Sequence, residues 1–123
     1  LAAGAALLHL GMGLYAGRQV YERNRLEQHI RKAMQPCAED KVYTFGMDGM
    51  LRAHFPAMEV VNLWDAPLRE ASTGAWVLFN PDQYARQWEG LNPMLNWHFL
   101  NDSYELAVQN DLGQGWQLYR IAP

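Results

Sequence analysis

The chain has 123 residues, half of them hydrophobic and 19% charged, with a formal net charge of −3. That is one domain's worth of sequence, too apolar and too weakly charged for a disordered chain. Its mild acidity offers no basic patch for nucleic acid, and a single cysteine, Cys37, excludes an internal disulfide and a cysteine zinc cluster.

Residues 1–17 contain no Asp, Glu, Lys or Arg, and the first charge is Arg18. A membrane span takes about 20 residues to cross a ~30 Å core, so this stretch falls at the short end of one. Gly4, Gly11, Gly13 and Gly17 weaken a soluble helix but suit close packing between membrane helices. The opening Leu1-Ala2-Ala3, without Met, fits the truncated end of a last transmembrane helix. The alternatives are a signal-type apolar region lacking its basic start and a soluble helix rich in Ala and Gly.

Residues 18–34 read as a charged continuation of that helix. Arg18, Glu22, Arg23, Arg25, Glu27, Arg31 and Lys32 alternate in sign, and Glu27 with Arg31 is an i,i+4 pair in the favourable orientation. Leu26, Ile30 and Ala33/Met34 recur at helical spacing as a narrow apolar stripe. The charges are explained as a solvated face; Arg18, Arg23 and Arg25 are also placed to meet lipid phosphates. Pro36 ends the helix, and residues 35–40 form a linker. From residue 42 onward nine acidic residues face only four basic ones.

Residues 41–123 read as a small α/β domain. Lys41–Gly46 is a β-branched and aromatic run closed by glycine, a buried strand. Asp48 is placed to cap a short helix over Gly49–His54, which Pro56 stops. Glu59–Trp64 and Ala75–Phe79 are the next two strands. Asn80 caps a helix over Asp82–Gly90, with Pro81 at its first position and Tyr84 and Trp88 on one face. Asn96–Leu100, Tyr104–Gln109 and Trp116–Ile121 read as further strands, the last two joined by Gly113-Gln114-Gly115 as an antiparallel hairpin. Strand–helix alternation over 41–90 predicts parallel pairing. The expected architecture is thus a long N-terminal helix followed by a small Rossmann-like mixed-sheet domain.

The chemical constellations are sparse. Phe45-Gly46-Met47-Asp48-Gly49-Met50 follows a strand and opens a helix, as phosphate turns do. It lacks the third glycine and the Gly-Lys-Ser/Thr of the known fingerprints, and Asp48 would repel a phosphate. Asp48, Asp65 and Asp82 each follow a strand, so an open sheet brings all three to one carboxyl-end rim, with Arg52 and His54 nearby. Capping and turn formation explain the same three aspartates. Asp48, Arg52, His54, Trp64 and Asp65 are the candidate ligand-binding residues. His9, His29, His54 and His98 show no metal spacing, and Ser72 and Ser103 are in no nucleophile motif. No catalytic residue, metal ligand or cofactor is assigned. Of the tryptophans, Trp76 is expected in the core, whereas Trp64 and Trp97 are candidates for exposed contact.

An apolar helix end, a basic connector and a C-terminal α/β unit together resemble the end of bacterial multispanning glycosyltransferases of the aminoarabinose-transferase and protein-mannosyltransferase type (glycosyltransferase family 39, GT-C fold). The resemblance rests on Val42-Tyr43-Thr44-Phe45-Gly46, on Trp76-Val77-Leu78-Phe79-Asn80 with Asp82-Gln83-Tyr84-Ala85-Arg86-Gln87-Trp88, and on Gln117-Leu118-Tyr119-Arg120-Ile121. It spans the chain but is architectural. It implies a non-catalytic accessory domain of an enzyme that transfers sugar from a polyprenyl-phosphate carrier, on the periplasmic side of the inner membrane. The family's catalytic acids lie in an early loop that has no counterpart here. Implied partners are membrane lipid, through the N-terminal helix, and the remaining membrane domain, not nucleic acid. Against the periplasmic placement, Arg18, Arg23, Arg25, Arg31 and Lys32 form a basic flank that would favour the cytoplasm. The other classes are a membrane-anchored or secreted interaction domain and a small enzyme using Asp48, Asp65 or His54.

Overall fold

A computed structural model describes the backbone of residues 2–123 and the side chains of residues 16–123. One helix, α1, runs unbroken over Ala2–Met34, and a 3-10 turn over Gln35–Cys37 closes it. The rest alternates as β1 (Lys41–Thr44), α2 (Asp48–His54), β2 (Glu59–Asn62), β3 (Trp76–Phe79), α3 (Pro81–Trp88), α4 (Asn92–Ser103), β4 (Leu106–Gly113) and β5 (Trp116–Ile121). The expected α/β class holds: a long helix precedes a five-stranded mixed sheet.

The strand order is β2-β1-β3-β5-β4. β1 pairs in parallel with β2 and with β3, as the alternation over 41–90 predicts. β5 is antiparallel to β3, and β4–β5 is the closing antiparallel hairpin. β1, β2 and β3 therefore all end at one edge of the sheet. The turn Gly113-Gln114-Gly115 returns to that same edge, because Gly113 pairs with Trp116 at the start of β5.

Side chains of a strand alternate between the two faces. Tyr43, Val77, Phe79 and Tyr119 point to one of them. There Trp97 of α4 lies parallel to Phe79, ring centroids 5.1 Å apart, and also meets Tyr119. The opposite face carries Val42, Thr44, Leu78 and Leu118, all buried, and α1 and α2 cover it. In α1 the stripe Leu26, Ile30 and Met34 is buried in the same core as the sheet. Ten residues above it, Ala16–Arg25, are exposed on every side. Before Leu26 the helix runs along the margin of the domain, where Arg23 Nη2 lies 3.7 Å from Met47 Sδ.

Two local expectations are corrected. Residues 96–100 form no strand but the middle of α4, with Asn96, Trp97 and Leu100 buried. Their polar–apolar alternation mimics a strand because Asn96 is a buried polar residue on a helix. Trp97 is accordingly a core residue, not an exposed contact. Nor does Asp48 cap α2. It is the first residue of that helix, after Met47, and makes no capping bond. Asn80, by contrast, caps α3 as expected: its Oδ1 accepts from Gln83 N–H at 3.2 Å.

Because Ile30 is fully buried while Val20 on the same helix is exposed, the two ends of α1 should respond differently to truncation. In denaturant unfolding, Ile30→Ala is expected to cost about 2–5 kcal/mol, and Val20→Ala about 0.5 or less. Equal small losses would mean that α1 is not part of the core.

Candidate functional site

The carboxyl edge of the parallel strands gathers most of the residues with chemical potential. Asp48, in the first turn of α2, accepts from Asn62 Nδ2 at 3.2 Å and lies 3.6 Å from Arg52 Nη1. Arg52 also donates to Val60 O, at 3.3 Å. This Asp48–Arg52 pair is half open to solvent, so it is worth little as a stabiliser. Asn62 Oδ1 in turn accepts from Trp64 N–H at 2.9 Å, an Asx turn that sets the direction of the chain leaving β2.

Trp64 is turned outward, 45% exposed, at the margin of an aromatic cluster. Phe45 lies 6.2 Å from Trp64, 5.0 Å from Tyr84 and 5.6 Å from Trp88, and Trp64 meets Trp88 edge-on at 5.4 Å. Leu91 and Leu95, at the start of α4, are also exposed. Asn92 Nδ2 donates to Trp64 O at 3.0 Å and ties that start to the same edge.

Gly46 makes the cluster possible. Its φ of +91° is a left-handed conformation, and a Cβ there would run into the Tyr84 hydroxyl. Tyr84 also packs against Trp116 and Phe79, so α3 is held over the ends of β1, β3 and β5. Asn80 fixes the other side: fully buried, it donates to Gln114 O at 2.9 Å and to Gln83 Oε1 at 3.0 Å. Gly115 lies so close that a Cβ would stand 2.5 Å from Asn80 Oδ1.

Of the five candidate ligand-binding residues, the structure brings Asp48 and Arg52 together and leaves Trp64 exposed beside Asn62, the partner of Asp48. Asp65 is exposed in the loop after Trp64. His54 lies at the far end of α2, where its Nε2 is 3.4 Å from Arg31 Nη1 on α1. Asp82 lies in the first turn of α3, on a different element from Asp48. The phosphate-turn geometry at 45–50 is not built either: α2 has seven residues and an aspartate at its start. Among the described residues no group of three His, Cys, Asp or Glu could hold a metal ion.

The three basic residues assigned to lipid contact lie on the exposed length of α1. Arg18 pairs with Glu22 and Arg23 with Glu27, each at 3.1 Å, and Arg23 Nη2 also reaches Met47 Sδ at 3.7 Å. Arg25 extends into solvent. Sequence reasoning missed Phe45, Asn62, Tyr84, Trp88 and Asn92 as parts of this edge. Only the i,i+4 spacing of Tyr84 and Trp88 pointed that way.

Cys37 is buried at the other end of the sheet. Burial and then Asp40 push its thiol up to about 11, with Arg120 opposing. Burial likewise raises the Tyr84 phenol, with Arg23 opposing and Asp48 adding to it. None of these groups is primed for chemistry at neutral pH. No protein-family model matches the chain, and no curated protein or solved structure does either.

Two outcomes follow from this geometry. Gly46→Ala should cost about 1–3 kcal/mol through backbone strain and the clash with Tyr84. Adding Tyr84→Phe should recover the clash but not the strain, a coupling that a double-mutant cycle reads directly. The Cys37 thiol ionises near 9.0 when unfolded and near about 11 in the fold, so the stability of its neutral form is full below pH 9 and lost as pH climbs toward 11. The unfolding midpoint should fall over that window, and less steeply in Cys37→Ala. A midpoint that is flat to pH 11 would contradict the burial of the thiol.

Proposed function

We propose that this chain is the membrane-proximal accessory domain of a polytopic glycosyltransferase that moves sugar from a polyprenyl-phosphate carrier, and that the domain itself is non-catalytic. Residues 1–17 are the end of the last membrane span, Ala16–Arg25 cross the lipid–water boundary, and the α/β unit stands on the periplasmic side. The observation that carries this reading is the division of α1. One continuous helix is packed from Leu26 onward, exposed all round over Ala16–Arg25, and free of charge over residues 1–17. An α-helix rises 1.5 Å per residue, so the uncharged part extends roughly 25 Å. That is close to, but short of, a ~30 Å hydrocarbon core. Among the described residues no helix is long and apolar enough to cross a membrane, so the reading needs the rest of the span from the parent enzyme.

The non-catalytic role is supported by the carboxyl edge. Its one close acid–base pair, Asp48 with Arg52, is bound into the loop geometry through Asn62 and Val60. The aromatic edge around Trp64, with Leu91 and Leu95 exposed, also favours a second reading: a membrane-anchored or secreted interaction domain with no enzymatic parent.

The two readings separate in the source gene and in the membrane. The transferase reading expects about ten apolar spans encoded upstream of Leu1 and full-length protein that resists carbonate extraction from membranes. A single upstream span leaves an anchored interaction domain and ends the transferase reading. Full-length protein recovered in the soluble fraction would overturn the membrane placement altogether.

A further inference from the structure

A groove runs between α1 and the edge strand β4, from the β4–β5 turn downward. Its upper part, a cleft of about 810 Å³, is lined by Arg18, Tyr21, Arg25 and His29 on the helix and by Leu112–Gln114 at the β4–β5 turn. A second cleft of about 300 Å³ continues it past Lys32, Asn110 and Asp111. Arg18, Arg25, His29 and Lys32 recur at intervals of seven, four and three, so they share one face of α1. Two carboxylates line the groove: Glu22, paired with Arg18 at 3.1 Å, and Asp111, which accepts from the N–H of Gly113 at 3.1 Å and keeps its charge. Arg25 and Lys32 have no ion pair among the described residues. A chain of net charge −3 thus gathers Arg18, Arg25 and Lys32 in one groove against Glu22 and Asp111, an excess of positive charge. Arg23 and Arg52, elsewhere on the surface, are paired with Glu27 and Asp48; Arg69 and Arg86 have no ion pair among the described residues but do not line the groove.

We propose that this groove binds a phosphate group, with Arg25 and Lys32 as its main charges and the amide-rich Gly113-Gln114-Gly115 turn alongside. Guanidinium and ammonium groups are the usual protein partners of phosphate. Two sources present that chemistry: the headgroup of an anionic lipid, which the direction of α1 would bring to the Arg18 end, and a free phosphate. The proposal does not depend on the transferase reading, because its first test needs no membrane.

That test titrates the isotope-labelled full chain with inorganic phosphate and follows the amide resonances of Leu112, Gly113 and Gln114. Saturable shifts are expected there, weakened in Arg25→Gln/Lys32→Gln by about fivefold for each charge removed. Both residues are exposed, and the amide spectrum itself shows whether the variant is folded. The second arm floats the full chain with zwitterionic phosphatidylcholine vesicles and with vesicles that also contain phosphatidylglycerol. Extra binding to the anionic vesicles that disappears in Arg25→Gln/Lys32→Gln but survives in Arg69→Gln/Arg86→Gln assigns a lipid phosphate. Shifts with inorganic phosphate and no such gain assign a free one. No shift and no gain overturn the proposal, as does an equal loss in the Arg69/Arg86 control, which would mark diffuse charge attraction.

Discussion

Among its described side chains, helix α1 buries only Leu26, Ile30 and Met34 in the core, yet the helix continues without a break for more than twenty residues before them. Leu26, Ile30 and Met34 seal the face of the sheet that carries Val42, Thr44 and Leu78. Parallel strands are stable only when both faces are covered, so β1, flanked by β2 and β3, needs that stripe as much as it needs α4 on the other side. The same helix carries ten exposed residues, Ala16–Arg25, and before them a stretch without a charged residue. Folding of the α/β unit therefore fixes the direction in which the apolar stretch leaves it. Arg23, against Met47 beyond the end of β1, shows that this direction is toward the carboxyl edge.

A second constraint comes from the crossover between β2 and β3, which contains no helix. Its backbone polar groups must be satisfied by side chains. Asn96 does the largest share: it accepts from Leu68 N–H at 2.8 Å and donates to Leu63 O and Ala66 O at 2.8 and 2.9 Å. The Tyr104 hydroxyl takes Ala71 N–H and the Tyr43 hydroxyl takes Ser72 N–H. With Asn80 holding the β4–β5 turn, two buried asparagines pin the loops around the carboxyl edge. The exposed Trp64 and its neighbours thus stand on a rigid base.

These roles explain what sequence reading could and could not recover. The three parallel strands were legible because each is a short β-branched or aromatic run bounded by Gly, Asn or Pro. The closing hairpin was legible from Gly113-Gln114-Gly115, and the α3 cap from Asn80-Pro81. Asn96-Trp97-His98-Phe99-Leu100 was not, because Asn96 is buried to serve a loop that lies thirty residues earlier in the chain. In the site, Trp64 is expected as an exposed contact at the last position of the strand Glu59–Trp64; the strand ends at Asn62, so Trp64 stands just past it. Asp48 is expected near Arg52 and His54, and the structure pairs it with Arg52 alone, because His54 at the far end of α2 turns to Arg31 of α1. The cluster around Phe45 depends on Tyr84 folding back over Gly46, a tertiary contact with no local signature.

The division of α1 is open to direct measurement by hydrogen exchange on the full-length source protein in bilayers. Three zones are expected along the one helix. Amides of residues 2–17 should be protected by lipid, those of 18–25 should exchange fastest, and those of 26–34 should be protected by the core. Residues 2–17 exchanging as fast as 18–25 would place that stretch in water and contradict the account.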